Sequence, residues 1–133
     1  MLSININSKV KIVFHKTYEI CSLIQPEKAE LIVTMNITRS MLKSIADKKK
    51  TICYFVSCYK DIKDLVKERF FLASCHLKLY QTASKIIFST ANLSLSSFDE
   101  ISIVLDRTEE LDRFVNEIVQ NLKKTNDFVK AFH

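Results

Sequence analysis

The stretch SCHLKLYQTASKIIFSTANLSLSSFDEISIVLD, residues 74–106, carries a histidine, a lysine, an amide and an acid on what the pattern predicts to be successive strands. His76 and Lys78 are two residues apart, so on a strand both side chains leave from the same face. Residues 85–88 (KIIF) have the composition of a buried strand, and hydroxyl and amide side chains follow them directly. Because functional groups are often built where strands end, we expect the rest of the chain to be scaffold for this stretch.

The remaining segments alternate between strand patterns and amphipathic helix patterns. Apolar or β-branched runs predict strands, and apolar residues at i, i+3 and i+4 predict helices. The predicted strands are residues 9–14, 30–35, 51–57 and 101–105, and the predicted helices are 17–25, 41–46, 61–71 and 111–122. Asp106 or Thr108 is expected to begin the last helix. Residues 126–133 would either continue that helix or cover a partner subunit. This alternation is typical of an α/β fold, a mixed sheet flanked by helices.

Length and composition place limits on the kind of protein. A chain of 133 residues with 47% apolar and 26% charged residues is expected to be a single globular domain over residues 1–133. No apolar run approaches the roughly 20 residues that span a bilayer, and the N-terminus lacks a secretory pattern, so we expect a cytoplasmic protein without membrane association. The net charge of +5, with lysine clusters at 48–50 and 123–124, suits a polyanionic partner, although a lysine excess is also typical of a solvated surface.

The four cysteines, Cys21, Cys53, Cys58 and Cys75, do not have the paired spacing of a zinc site, and no metal or other cofactor is expected. Each lies in an apolar context and is expected to be a small buried hydrophobe. A disulfide between Cys53 and Cys58 or between Cys58 and Cys75 would require the strands to bring them together, and a cytoplasmic location argues against it.

Two further features concern the turns and the first histidine. The chain contains no glycine, so Asn, Asp, Ser and Lys are expected to form its turns. His15 follows the first predicted strand outside any His-x-Lys spacing, and we expect it to be exposed.

Tyr54, Tyr59 and Tyr80 have the side chains that stack on nucleic acid bases, but they fit the core or its rim equally well.

The order of polar residues from His76 to Glu100 resembles the motif of the phospholipase D superfamily. Members of that family have His-x-Lys, then Gly-Ser-x-Asn after a hydrophobic strand, and a downstream Glu. The matching residues here are His76, Lys78, Asn92 and Glu100. The specific part of the resemblance is this segment, and a looser likeness extends from about residue 30 to the end of the sequence.

The sequence departs from the family motif in three places. Ala83 stands where the family usually has an Asp, five residues after the lysine. Ser89 and Thr90 replace the Gly and the Ser of the family. The spacing from His76 to Asn92 is one residue shorter than usual.

The resemblance implies a phospholipase D-like α/β sandwich and a metal-independent phosphodiesterase. His76 would attack phosphorus to give a phosphohistidine, and Glu100 would orient a histidine imidazole and support its charge. The remaining motif residues would hold the non-bridging oxygens or the substrate; they are Lys78, Asn92, Ser89 and Thr90. The family supplies the leaving-group proton from a second motif copy. Because this chain has one copy, the resemblance implies a homodimer in which the two His76 side chains face each other.

The substrate and two alternatives stay open at this point. Small single-motif members of the family are commonly nucleases, so DNA or RNA is the expected partner. One alternative is a catalytically inactive phospholipase D-like module that binds nucleic acid or protein. The other is a structural or regulatory α/β module in which each motif residue has an ordinary role: a half-buried histidine, a surface lysine, a turn-forming asparagine and an edge carboxylate.

Overall fold

A computed structural model describes residues 1–58, 62–125 and 129–130 of the chain. Nine strands form one mixed sheet in the order β1-β2-β8-β7-β6-β3-β4-β5-β9. The strands are β1 (Leu2–Asn7), β2 (Val10–Lys16), β3 (Ala29–Ile37), β4 (Ile52–Cys58), β5 (Glu68–Phe71), β6 (Lys78–Thr82), β7 (Lys85–Ser89), β8 (Asp99–Asp106) and β9 (Val129–Lys130). The helices are α1 (Ile20–Ile24), which follows a 3-10 turn over Thr17–Glu19, α2 (Arg39–Ile45) and α3 (Glu109–Thr125).

Helices cover both faces of the sheet, which confirms the predicted α/β class. Ile24 of α1 and Leu42 of α2 pack in one core cluster with Ile32 of β3. Val115 of α3 packs in a second cluster with Val33, the next residue of β3. Because neighbouring residues of a strand point to opposite faces, these clusters define an α1/α2 face and an α3 face of the same sheet.

The segment after β4 differs from the prediction. Residues 61–71 were expected to be a helix, but the described part forms a turn followed by β5, and residue 61 lies outside the described residues. β5 pairs in parallel with β4. Phe70 stacks on Tyr54 with a centroid distance of 5.0 Å, and Phe71 meets Phe55 edge to face at 6.1 Å. Cross-strand aromatic pairs stabilise β5, and the open edge of β4 supplies its hydrogen bonds.

The N-terminal hairpin also differs from the prediction. β1 was not predicted, and β2 continues to Lys16 instead of ending at Phe14. β1 pairs with β2, and β2 pairs with β8 over its whole length, from Val10 to Lys16. β2 is therefore an internal strand, and His15 is only 2% exposed instead of lying on the surface.

The turns form without glycine, as expected from the sequence. No described residue has a positive φ angle. Polar side chains close the turns: Asn7 Oδ1 accepts from the Lys9 amide at 2.8 Å, and Asp47 Oδ1 accepts from the Lys49 amide at 2.8 Å. Such short side-chain acceptors replace the left-handed conformation that glycine would otherwise provide.

The last helix begins where one of the two expected residues places it. Thr108 Oγ1 accepts from the Leu111 amide at 3.1 Å, so Thr108 caps α3. α3 ends at Thr125, and β9 pairs with β5. The expectation for the tail falls largely on residues 126–128 and 131–133, outside the described residues. Within the described ranges, no helix has the length and apolarity that crossing a membrane requires.

Candidate functional site

One end of the sheet gathers polar side chains from five strands. There β2, β3 and β7 end and β6 and β8 begin; we call this the polar end. The register pairs Lys78 with Ser89, Ser89 with Ser102, and Glu100 with His15. Directly paired residues share a face, and the pair Tyr80 and Ile87 lies in the α1/α2 cluster. Lys78 and Ser89 are two residues away from Tyr80 and Ile87 on the same strands, so their side chains also point to the α1/α2 face.

His76 and Lys78 lie at the start of β6. The strand begins at Lys78, and His76 belongs to the segment that leads into it. Cys75, Leu77 and Leu79 all pack in the α3-face cluster, so the intervening His76 and Lys78 point to the other face. His76 is exposed and Lys78 is half-buried. Within the described residues, neither side chain has a hydrogen bond or an ion pair.

Asn92 has its side-chain oxygen fixed by the end of β3. Asn92 Oδ1 accepts hydrogen bonds from Thr34 Oγ1, the Met35 amide and the Asn36 amide, each at 3.2 Å. Three donors on one atom identify it as the oxygen, which leaves Nδ2 with its two N–H groups. Among the described residues Nδ2 has no acceptor. The Asn92 side chain is therefore fixed through Oδ1, and its two Nδ2 N–H groups remain available as donors.

Glu100 is held by two threonine hydroxyls. Thr17 Oγ1 donates to Glu100 Oε2 at 2.9 Å, and Thr90 Oγ1 donates to Glu100 Oε1 at 3.0 Å. Thr90 Oγ1 also accepts from the Ile101 amide at 3.0 Å. Glu100 was expected to orient a histidine imidazole, but it has no hydrogen bond to an imidazole among the described residues. The hydroxyl of Thr90, expected to bind substrate, is likewise engaged.

The histidine that the fold does orient is His15. Its Nδ1 lies 2.7 Å from the Lys16 carbonyl oxygen, and its Nε2 lies 2.7 Å from Ser102 Oγ. Because a carbonyl oxygen can only accept, Nδ1 carries a proton. Ser102 Oγ lies 2.7 Å from Ser89 Oγ, which accepts from the Ala91 amide at 2.9 Å. Ser89, expected to bind substrate, is therefore part of this buried network. Extending the first predicted strand past Phe14 would have placed His15 on the same buried face as Val13, and so would have predicted that His15 is buried.

Ala83 lies away from the polar end. It is exposed in the turn between β6 and β7, and the neighbouring Lys85 Nζ contacts Asp106 Oδ1 at 3.1 Å. Lys78 is at the opposite end of the same hairpin. The residue at position 83 therefore does not face His76, and its departure from the family motif removes no group from the polar end.

The lysine clusters lie at opposite ends of the sheet. Residues 48–50 precede β4, which runs parallel to β3 toward the polar end, so these lysines lie at the other end. α3 begins after the end of β8 that is opposite to the polar end, and its 17 residues extend about 25 Å back along the sheet, on which it packs. Lys123 and Lys124, in its last turn, therefore lie near the polar end and add positive charge there.

Tyr54, Tyr80 and the three cysteines whose side chains are described pack in the core or against it. Tyr80 is fully buried, its hydroxyl donates to the Ala91 carbonyl at 2.7 Å, and burial raises its pKa. Tyr54 is 5% exposed, and Tyr59 lies outside the described residues. Cys21, Cys53 and Cys75 are free thiols, and the side chain of Cys58, on which both candidate disulfides depend, is not described. No cluster of three potential metal ligands occurs among the described residues.

Comparison with known proteins adds little to this geometry. No family model matches the chain, and no curated protein matches it. Among solved structures the chain is similar to TrmBL2, an archaeal chromatin protein whose structure shows a novel mode of DNA binding, with a TM-score of 0.48 and 10% sequence identity. The match covers 88% of this chain and 53% of TrmBL2, so the chain spans about half the length of that protein. A similarity at this level carries no argument about function.

Proposed function

We propose that the protein is a metal-independent phosphodiesterase that cleaves DNA or RNA, with His76 as the nucleophile. The observation that carries the proposal is the unused hydrogen-bonding capacity at the polar end. An exposed imidazole, an ammonium without a partner and the free N–H groups of a fixed amide belong to His76, Lys78 and Asn92. These three groups are open to solvent and no described protein group occupies them, so all three are available to an anionic ligand. The resemblance to the phospholipase D superfamily supports the same three residues.

The proposed reaction has two displacement steps at phosphorus. In the first, a ring nitrogen of His76 forms a bond to phosphorus while the bond to the leaving oxygen breaks, and that oxygen takes a proton from a general acid. In the second, water attacks phosphorus, the bond between nitrogen and phosphorus breaks, and the water proton returns to the acid site. Lys78 Nζ and Asn92 Nδ2 donate to the non-bridging oxygens, which carry more negative charge in the transition state.

The described residues of one chain do not provide a general acid at the polar end. Glu100 is bonded to two hydroxyls, and His15 is buried. We therefore keep the His76 of a second copy as the proposed acid, in a homodimer whose polar ends share a cleft.

The proposed substrate is nucleic acid because Lys78, which has no partner among the described residues, lies beside the nucleophile. Lys124 lies in the last turn of α3 near the same end of the sheet, and each contact with a phosphate would release bound counterions. Tyr54 and Tyr80 are buried and cannot stack on a base, and contacts made by lysines to phosphates carry no sequence information, so binding is expected to depend mainly on the backbone. Its affinity should fall as salt concentration rises.

The test is cleavage of labelled single- and double-stranded DNA and RNA by the purified protein in excess EDTA. The His76→Ala variant should lose activity by at least about 1,000-fold, as expected for removal of a nucleophile. Lys78→Ala should lose about 100-fold because it removes a donor to the transition-state charge. Lys85→Ala is the matched control, since Lys85 begins the other strand of the same hairpin at the opposite end; it should retain full activity.

Two results would contradict the proposal. Equal activity of the wild type and His76→Ala would exclude His76 as the nucleophile. Equal losses in Lys78→Ala and Lys85→Ala would show that the polar end has no special part in the reaction.

A second candidate function is a module that binds nucleic acid without cleaving it. The observation in its favour is that Glu100 contacts Thr17 and Thr90, so that His76 lacks a carboxylate partner among the described residues. Binding that is weakened by Lys78→Ala, with no turnover and no effect of His76→Ala, would favour this function over the first.

A further inference from the structure

One part of the sheet is left uncovered on the α3 face. α3 packs over β7, β6, β3 and β4 but not over β8, β2 and β1. The register aligns Leu2, Phe14 and Ile101 in one row across these three strands. The next row aligns Ile4, Ile12 and Ile103, and Ile103 pairs with Phe88 of β7. We call this surface, together with Phe114 of α3, the uncovered face.

The uncovered face is apolar and exposed. Phe114 adjoins Phe88 at a centroid distance of 6.3 Å, which makes α3 continuous with the two rows. The exposed fractions of its six largest contributors are 71% for Leu2, 60% for Ile4, 44% for Phe14, 50% for Ile101, 38% for Ile103 and 51% for Phe114. At roughly 200 Å² for each side chain, these fractions amount to about 600 Å². A contiguous apolar patch of about 600 Å² is at the upper end of what monomeric proteins expose, and such patches are often interaction sites.

We infer that the uncovered face is the interface between two copies of this chain, packed face to face about a two-fold axis. About 600 Å² from each copy gives about 1,200 Å² in total, the lower end of the range for stable protein interfaces, before any rim residue is counted. A two-fold axis places each patch against its own copy, so one apolar surface satisfies both partners. The interface does not rest on the proposed function.

The charges on this face suit a second copy of the chain. The strand register places two charged residues on the uncovered face, Lys16 and Asp99. They form an ion pair at the polar end of the sheet, with 2.6 Å between Lys16 Nζ and Asp99 Oδ1. The centre is therefore free of like charges that would repel an identical surface. A nucleic acid, by contrast, would need unpaired cations at the centre of its binding surface.

This dimer differs from the one that a shared catalytic cleft requires. His76 points from the α1/α2 face, whereas the uncovered face belongs to the α3 face. Packing two copies through the uncovered face leaves the two His76 side chains on opposite outer surfaces. The two interfaces are therefore separate, and each can be tested without the other.

The experiment is sedimentation equilibrium of the full chain over a range of concentrations. The wild type should have twice the monomer mass of 15.4 kDa, or four times that mass if the polar-end dimer of the proposed function also forms. Ile4→Glu with Ile101→Glu places two charges in the centre of the uncovered face and should halve the mass of the wild-type assembly. Ser3→Glu with Asn5→Glu is the matched control, since it adds the same charge to the opposite face of β1; it should keep the wild-type mass.

Folding is checked separately by circular dichroism, and a milder variant covers the case in which the double variant does not fold. Ile101→Thr keeps a β-branched side chain and should raise the dimer dissociation constant roughly tenfold, as expected for loss of one exposed apolar contact.

Three outcomes would overturn the inference. The first is a wild type that is monomeric at every concentration. The second is equal dissociation in both double variants, which would point to pairing along the edge of β1 instead. The third is non-specific aggregation of the wild type. Loss of the dimer with unchanged nuclease activity would leave the proposed function intact.

Discussion

The two described histidines lie at the same end of the sheet but differ in burial and in hydrogen bonding. His15 is buried on an internal strand, and both of its ring nitrogens lie within 2.7 Å of a partner. His76 is exposed at the start of β6 and has no partner among the described residues. A histidine whose nitrogens are both used by the fold stabilises the fold, whereas one with both nitrogens free is available to a ligand.

This contrast extends to the other polar residues of this end. Ser89, Thr90 and Glu100 have the partners of structural residues, while Lys78 has none in the described part of the chain. Asn92 has both properties, since its oxygen is bonded and its nitrogen is free. The comparison therefore predicts which substitutions change stability and which change binding.

The largest expected difference in stability is between the two variants in which one histidine is replaced with alanine. His15→Ala removes a buried side chain and leaves Ser102 and the Lys16 carbonyl without their partner, so the free energy of unfolding should fall by about 3 kcal/mol. His76→Ala should change it by less than about 0.5 kcal/mol because the side chain is exposed and unpaired. Urea unfolding of both variants measures the difference. Equal losses would remove the distinction between the two histidines.

The next effect separates the two halves of the Asn92 side chain. Asn92→Ala removes the acceptor of three donors and should lower the free energy of unfolding by about 2 kcal/mol. Asn92→Asp keeps an acceptor oxygen, replaces the N–H donors and adds a negative charge. It should be more stable than the alanine variant by about 1 kcal/mol, yet bind nucleic acid more weakly than the wild type.

Urea unfolding and a binding titration with labelled DNA measure the two properties of the Asn92 variants. An aspartate variant that binds as tightly as the wild type would show that Asn92 Nδ2 does not contact the ligand.

The smallest expected effect on stability concerns a partly exposed ion pair. Arg39 at the start of α2 forms a bidentate ion pair with Asp64. The Arg39 guanidinium lowers the pKa of the Asp64 carboxyl from 3.8 to about 2. The stabilisation is therefore fully present above pH 3.8 and is lost as the pH falls through about 2. Both side chains are partly exposed, so the effect is small.

Thermal unfolding of the wild type and Asp64→Asn between pH 5 and about pH 2 tests this pair. The wild type should unfold at the higher temperature near pH 5, and the difference should shrink toward pH 2. A difference that does not depend on pH would mean that the ion pair is not its source.

The sequence allowed prediction of those strands and helices whose hydrophobic pattern matches the secondary structure that they form. β3, β4, β7 and β8 have strongly apolar or alternating sequences, and α3 has a continuous apolar stripe, so their type follows from periodicity alone. β5 was predicted as a helix because Ile62, Leu65 and Val66 have helical spacing. In the structure Ile62 and Val66 reach the core from a turn, and pairing with β4 decides the strand. Such pairing between distant segments leaves no local signal.

The candidate site was predicted in part for the same reason. Lys78 and Ser89 form a direct pair because both belong to one hairpin, a local feature. The binding of Asn92 Oδ1 to β3 and the insertion of His15 beside β8 join residues 56 and 87 positions apart. Contacts of that range depend on the strand order, which the sequence pattern does not contain.

The strand order also sets a sequence of events during synthesis. β1 and β2 form a hairpin at the beginning of the described chain, but the partner of β2 is β8, which ends at Asp106. At roughly 5–20 residues per second, the 90 residues between the ends of β2 and β8 take roughly 5–20 s to be made. During that interval a two-stranded hairpin with Leu2, Ile4 and Phe14 on one side has no neighbour to pair with. The nascent chain is thus most exposed to misassociation before β8 has been made, and substitutions in β1 should affect the yield of folded protein more than its final stability.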